Sequence, residues 1–209
     1  MAVICPAVLA TNPKSYNKQL VEVETFADRL HLDVMDGQFA PTRSPELGDV
    51  ALPTDKVIDF HVMYEDPLEI LDELIACKPH LVIVHAEAQG SFAKIAQKLH
   101  DHGIKAGVAL LAKTPIDTIQ PALELIDHVL IFSGDLGTFG GTADLTLADK
   151  AEWCKEMKPD IEVGWDGGVD DTNARELVEA GVDVLNVGGF IQKAKNPKES
   201  YQRLQNLIH

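Results

Sequence analysis

Apolar runs of four to seven residues alternate along the chain with amphipathic stretches of ten or more. The runs Val3–Leu9, Leu30–Asp33, Val57–Met63, Leu81–His85, Lys105–Leu110, Val129–Phe132, Ile161–Trp165 and Val182–Val187 read as buried strands. Between them, helical spacing predicts helices over Ser15–Arg29, Pro67–Cys77, Ser91–His102, Pro115–Leu125, Leu147–Met157 and Thr172–Ala180, with Lys198–Leu207 closing the chain. Local signals agree. Asp66-Pro67 and Thr114-Pro115 put proline at a first helical turn, Asp171 or Thr172 is placed to cap the helix that follows, and Gly103 and Gly181 lie just past helical patterns. The order helix, glycine, strand recurs as L-H-D-H-G-I-K-A-G-V and L-V-E-A-G-V-D-V-L-N-V. Such units return the chain to a parallel sheet, because each parallel connection needs a crossover. Eight regularly spaced strands predict an α/β fold, a single (β/α)8 TIM barrel spanning residues 1–209, with an open doubly wound sheet as the rival. The irregular place is Ala40–Lys56, where three prolines leave room only for a short helix near Pro45–Ala51.

In such a barrel, functional groups collect where strands end. Side chains alternate along a strand, so L-H-L-D-V-M puts His31, Asp33 and Met35 on one face, just before the Asp36-Gly37 turn. The third strand offers His61 and Met63 in D-F-H-V-M-Y, the fourth His85 and Glu87 in V-I-V-H-A-E, and the seventh Asp166 in W-D-G-G. A lone strand-end histidine is commonly a hydrogen-bonded structural residue, and Asp166 alone could cap a turn. Four strands that all end in His or Asp point to something bound between them. His31, Asp33, His61 and Asp166 supply two imidazoles and two carboxylates, a set that suits one divalent cation such as Zn, Mn, Fe or Co, whereas Mg prefers all-oxygen ligands. Such a cation would polarise a ketone and its neighbouring hydroxyl while a carboxylate takes the proton from the carbon between them. Met35 and Met63 either fill the core or form a dry wall behind a planar intermediate.

Glycines add an anion site. Gly167-Gly168 follow the seventh strand and Gly188-Gly189 the eighth, the place where this architecture usually converges backbone N–H groups on a phosphate. The loop Gly134–Gly141 is rich enough in glycine to move as a lid, with Phe139 as its apolar face and Gly140-Gly141 among its substrate-facing residues. It matches neither the dinucleotide fingerprint nor the nucleotide-triphosphate loop.

Composition narrows the classes of partner. The 209 residues, 45% hydrophobic, suffice for one well-buried core. A formal net charge of −15 excludes nucleic acid and anionic membrane surfaces, which need a basic footprint, and leaves a phosphorylated substrate to local donors. Cys5, Cys77 and Cys154 form no C-x-x-C pair and suggest neither a disulfide framework nor a thiolate metal site. The apolar start M-A-V-I-C-P-A-V-L-A lacks a basic flank and reads as a first strand rather than a leader, so a reducing cytoplasm is the expected location.

The sequence resembles the ribulose-phosphate 3-epimerase family along nearly its whole length. The resemblance rests on V-I-C-P-A-V-L-A, L-H-L-D-V-M-D-G-Q-F-A-P, D-F-H-V-M, V-H-A-E, K-A-G-V-A-L, F-G-G and D-G-G-V in that order. It implies that His31, Asp33, His61 and Asp166 hold the metal. It implies further that Asp33 and Asp166 exchange protons with opposite faces of C3, and that Gly167, Gly168, Gly188 and Gly189 hold the phosphate of a phosphorylated ketose. The implied reaction interconverts D-ribulose 5-phosphate and D-xylulose 5-phosphate, and a homodimer or higher oligomer is expected from the family alone. The decarboxylases of the same barrel group usually show D-x-K-x-x-D, and D-V-M-D-G lacks that lysine.

Several positions depart from the family pattern. Ala7 stands where a substrate-contacting serine is usual, Phe132 where methionine is common, D-L-G-T-F-G-G where N-P-G-F-G-G is usual, and Gly189 where a serine or threonine is common. E-V-G-W-D replaces the usual E-V-D, so either Gly164 takes the place of the acid or two residues are inserted. With His85, these wall positions Ala7, Met35, Met63 and Phe132 are the ones that would measure the substrate. They keep open a 3-epimerase for another ketose phosphate, such as D-allulose 6-phosphate, and a non-catalytic sugar-phosphate-binding barrel.

Overall fold

Eight parallel strands close on themselves in chain order in the computed structural model, which describes residues 2–209. They are β1 (Val3–Val8), β2 (Arg29–Met35), β3 (Val57–Met63), β4 (Leu81–His85), β5 (Lys105–Leu110), β6 (His128–Phe132), β7 (Glu162–Asp166) and β8 (Val184–Val187). Closure is made by β1 against β8, with Val3 opposite Val184 and Pro6 opposite Val187. That pairing fixes the (β/α)8 barrel and removes the open sheet, whose first and last strands would be edges. Helices α1 (Pro13–Val23), α2 (Leu71–Ala76), α3 (Phe92–His100), α4 (Ala148–Met157), α5 (Ala174–Glu179), α6 (Gly189–Gln192) and α7 (Pro197–Ile208) surround the strands.

The strand predictions hold to within a residue or two, and the helices differ more. The first helix ends at Val23, not Arg29. Thr25 and Phe26 donate to Glu22 and Val23 in tight i→i+3 turns, and Arg29 already opens β2. Residues Ile116–Leu125 wind as 3₁₀ turns because Pro121, inside the segment, has no N–H to give and its ring crowds an α turn. The short helix near Pro45–Ala51 shrinks to a 3₁₀ turn at Leu47–Asp49, whose one buried residue is Leu47. The helix expected from Thr172 begins at Ala174, so neither Asp171 nor Thr172 caps it. The Asp170 carboxylate accepts from Thr172 N instead, in a turn that precedes the helix. Helix α6, directly after β8, was not expected.

Two apolar regions carry the fold. Outward-facing strand residues such as Leu32, Phe60, Val82, Ile131 and Trp165 are buried beneath the helices. Inside the barrel, Leu81, Ile83, Ala109 and Leu130 form a separate plug on the β4–β6 side. Around it the interior is polar. His31, Asp59, His61, His128 and Asn186 are almost wholly buried there, so the rest of the interior has to satisfy charges and hydrogen bonds rather than pack hydrocarbon. Cys5 and Cys154 are buried free thiols and Cys77 is an exposed one, and among the described residues no helix is long and apolar enough to cross a membrane.

Candidate metal and acid-base centre

Strand register builds the centre. Asp33 lies opposite His61 across the β2–β3 ladder, His31 is two residues earlier on the same inward face, and Asp166 is the last residue of β7. One ligand atom from each of His31, Asp33, His61 and Asp166 falls within 4.8 Å of all the others. His61 Nδ1 is 2.9 Å from Asp33 Oδ1 and 3.6 Å from Asp166 Oδ2, while His31 Nε2 is 3.4 and 3.6 Å from the same two oxygens. Asp166 reaches the cluster, and Gly164 faces inward one pleat lower, where a Cβ would stand 2.5 Å from His128 Nε2.

The electrostatics show what this cluster lacks. Burial penalises a charged His31, yet the Asp166 and Asp33 carboxylates outweigh it and raise the imidazole pKa to about 10. Burial likewise works against a charged Asp33, and His31 with His61 overcomes it, lowering the carboxyl to about 2. The buried Asp33 and the partly buried Asp166 therefore pull strongly on positive charge. Both ring nitrogens of His31 are nevertheless without a hydrogen-bond partner among the described residues. An orphaned imidazole aimed between two carboxylates, with a second imidazole beside it, fits a divalent cation better than it fits a closed hydrogen-bond network.

Behind the cluster lies a second row. His61 Nε2 and His85 Nε2 are 2.8 Å apart, so one proton serves both, and His85 Nδ1 is 3.4 Å from Glu87 Oε2. Burial keeps His85 neutral, with its pKa lowered to about 4 despite Glu87. Burial also disfavours a charged Glu87, but His85, the Thr114 hydroxyl and Leu111 N hold it down to about 2. His85 is packed 4.6 Å from the Phe39 ring, and Met35 is buried against Ala40 and Met63 with Thr42 Oγ1 3.2 Å from its sulfur. Neither His85 nor Met35 lines the cavity, whereas the other three wall candidates, Ala7, Met63 and Phe132, do.

That cavity, about 210 Å³, runs from Asp33 and Asp166 to the loops after β6, β7 and β8. Gly140, Gly141, Gly167, Gly168, Gly188 and Gly189 all line it. Gly167 and Gly168 have φ of 108° and 71°, a conformation that side chains resist. Gly188 has a different reason, since a Cβ there would run into the Phe139 ring. The Gly134–Gly141 loop thus lies directly on β8's end, held by Lys193 Nζ donating to Phe139 O at 2.9 Å. Lys193 and Asn186 also line the cavity, and the sequence reading passed over both. Asn186 did leave a signal, as a single polar residue in the buried run V-L-N-V two places before Gly188.

Comparison with known proteins agrees with this arrangement. A family model described as "Ribulose-phosphate 3 epimerase family" matches residues 3–192. The chain is 33% identical over 216 residues to "Ribulose-5-phosphate-3-epimerase, chloroplastic" of Arabidopsis thaliana, covering 97% of this chain and 76% of that protein. It is 33% identical over 212 residues to "Ribulose-phosphate 3-epimerase" of Helicobacter pylori (strain ATCC 700392 / 26695), covering 98% and 97%, and 29% identical to the protein of that name in Bacillus subtilis (strain 168), covering 98% and 99%. Among solved structures, a 3-hexulose-6-phosphate synthase superposes with a TM-score of 0.77 at 19% identity over 99% of each chain. KGPDC from Streptococcus mutans superposes with a TM-score of 0.73 at 15% identity, covering 100% of this chain and 97% of that one. At those identities the two structures show a shared barrel and nothing of the chemistry.

Proposed function

The chain belongs to the ribulose-phosphate 3-epimerase family and is an epimerase, and we propose that it interconverts D-ribulose 5-phosphate and D-xylulose 5-phosphate by two-base proton transfer at C3. One observation carries the detailed reading. Two carboxylates and two imidazoles from three strands converge within 4.8 Å at the end of a cavity whose other end is lined by glycine loops.

In this reading His31, Asp33, His61 and Asp166 hold one divalent first-row cation. When bound, that cation supplies a fixed positive charge that offsets the negative charge building on the substrate's oxygens. Asp33 and Asp166 sit on strands from different sides of the barrel. One takes the proton from C3 and the other returns a proton to the opposite face, so the configuration inverts without either base having to move. Backbone N–H groups around Gly140, Gly141, Gly167, Gly168, Gly188 and Gly189 bind the phosphate, with Lys193 adding a cation at the rim in a chain whose overall charge repels anions. Ala7, Met63 and Phe132 form the apolar wall that keeps water from the reacting carbon, and Met35 and His85 support it from behind. The lid loop closes over it through Phe139. Three unpaired thiols suit a reducing cytoplasm.

A coupled assay on D-ribulose 5-phosphate tests the reading. The protein loaded with Co²⁺, Mn²⁺, Fe²⁺ or Zn²⁺ turns the substrate over and exchanges the C3 hydrogen with solvent. Chelation abolishes both, and a first-row cation restores them. Full activity in protein shown to be metal-free by elemental analysis would remove the role given to His31 and His61.

A further inference from the structure

Asn186 is 2% exposed, and neither Nδ2 nor Oδ1 has a hydrogen-bond partner among the described residues. Folding a carboxamide into a barrel interior with both ends unpaired is costly, and native structures rarely leave such a group without a reason. The other unpaired interior atoms near the barrel floor, Asp59 Oδ1 and His128 Nε2, belong to side chains already engaged in ion pairs there. Asn186 has no such engagement. It lines the cavity, lies opposite Asp166 on β7 and Cys5 on β1, and precedes Gly188 by two residues on the same inward face. It is therefore level with the Asp166 carboxylate and two residues before the Gly188-Gly189 loop assigned to the phosphate. Ala7, on the adjacent β1, lines the same cavity and offers no side-chain donor.

We propose that Asn186 is a substrate-recognition residue, its carboxamide pairing with a hydroxyl of the bound ketose phosphate between the reacting carbon and the phosphate. The inference rests on the epimerase reading and adds to it the residue that reads the sugar's hydroxyl pattern. The chemistry selects this class of ligand. A sugar hydroxyl both donates and accepts, and a carboxamide presents a donor and an acceptor side by side. A bare anion would engage only the Nδ2 end and a cation only Oδ1, leaving the other atom as unsatisfied as before.

N186L, nearly isosteric and apolar, separates this role from a structural one. Removing two unpaired polar atoms leaves the melting temperature of the ligand-free protein unchanged or higher. Co²⁺ affinity, read from the visible spectrum of the bound ion, stays within twofold. The KM for D-ribulose 5-phosphate rises about 5- to 150-fold, the range expected when a substrate hydroxyl loses its partner in a dry site. N186T, which supplies a hydroxyl able to donate and accept in place of the carboxamide, recovers part of that loss. Calorimetric binding of the same sugar phosphate to Co²⁺-loaded wild type and N186L repeats the comparison without turnover, so a wild-type protein that binds but does not epimerise would defeat the epimerase reading and still test this one. A lowered melting temperature with unchanged KM and binding would overturn the proposal, making Asn186 a packing residue. A parallel loss of Co²⁺ affinity would overturn it too, by placing the side chain in the service of His31.

Discussion

Strands β2, β3 and β7 carry charge at both ends, and the two ends are built on opposite terms. At the floor, the Arg29 guanidinium donates to Asp59 at 2.6 Å and grips both oxygens of Glu162 at 2.8 and 2.7 Å, while His128 Nδ1 sits 2.8 Å from Glu162. At the top, two residues further along β3 and four along β2 and β7, stand His61, Asp33 and Asp166. The floor has its own permanent cation, matched by planar, bidentate geometry to a carboxylate. The top has two carboxylates, no arginine or lysine among them, an orphaned histidine and an open cavity. Similar residue types on the same strands thus divide into a network that carries its own cation and one that has two carboxylates and no permanent cation. Barrel enzymes separate stability and activity between their two ends, and here the separation is visible in the pairing of individual atoms.

The largest effect that tests this division is at the top. Asp33→Asn and Asp166→Asn each lower kcat by about 10²- to 10⁴-fold, the usual contribution of a general acid or base, and exchange of the C3 hydrogen falls with it. Asp33→Asn also lowers the melting temperature of the metal-free protein, because His31 and His61 hold its carboxyl well below the unfolded value and that stabilisation is lost. Circular dichroism melts beside the exchange assay check both halves. Retained exchange in both variants would end the two-base mechanism.

Next in size is the reverse experiment at the floor. Arg29→Met leaves the buried Asp59 and the half-buried Glu162 without their cation and destabilises the protein by about 3 kcal/mol, measured by urea titration. The fraction that remains folded keeps its kcat. The loss depends on pH with a definite sign. Burial alone would raise the Glu162 pKa, but Arg29 and His128 pull it far below its ordinary value of 4.5. A folded pKa below the unfolded one stabilises above about pH 4.5 and ceases to do so as pH falls through the folded value. The gap between wild type and Arg29→Met is therefore full at neutral pH and narrows on acidification below 4.5. A gap constant down to pH 3 would mean that Arg29 acts by packing and not by charge.

How much of this was legible in the sequence follows the same division. The top was readable because its residues end apolar runs, and period-two alternation alone puts His31 and Asp33, or His61 and Met63, on one face. The eight strands were readable because each is buried on both sides and bounded by glycine, proline or a polar turn. The floor was not. Arg29 and Glu162 are 133 residues apart and each begins a strand, where a charged residue ordinarily meets water, so only barrel closure reveals that they meet. Asn186 was hidden for a related reason, since one amide in an apolar strand has the same appearance whether it faces a helix or a cavity. The helices were misjudged where a single residue overrode periodicity, as Pro121 does in the 116–125 segment.

The smallest effect asks whether the two ends are mechanically independent. Gly164 lies between them on β7, and its missing side chain makes room for His128, since a Cβ would come within 2.5 Å of Nε2, 2.8 Å of Cε1 and 3.0 Å of Leu130 Cδ1. Gly164→Ala must push the imidazole aside or displace the strand. If the imidazole yields, the cost is that of modest overpacking, about 1–3 kcal/mol, and it is smaller when measured in a His128→Ala background, so the two substitutions are non-additive. The effect then stops at the floor, and kcat changes by less than about twofold because Asp166 stays in register with Phe132 and Asn186. If the strand yields, Asp166 moves with it. Activity then falls in Gly164→Ala and returns when His128 is removed as well, and the barrel's two ends would be coupled through one strand after all.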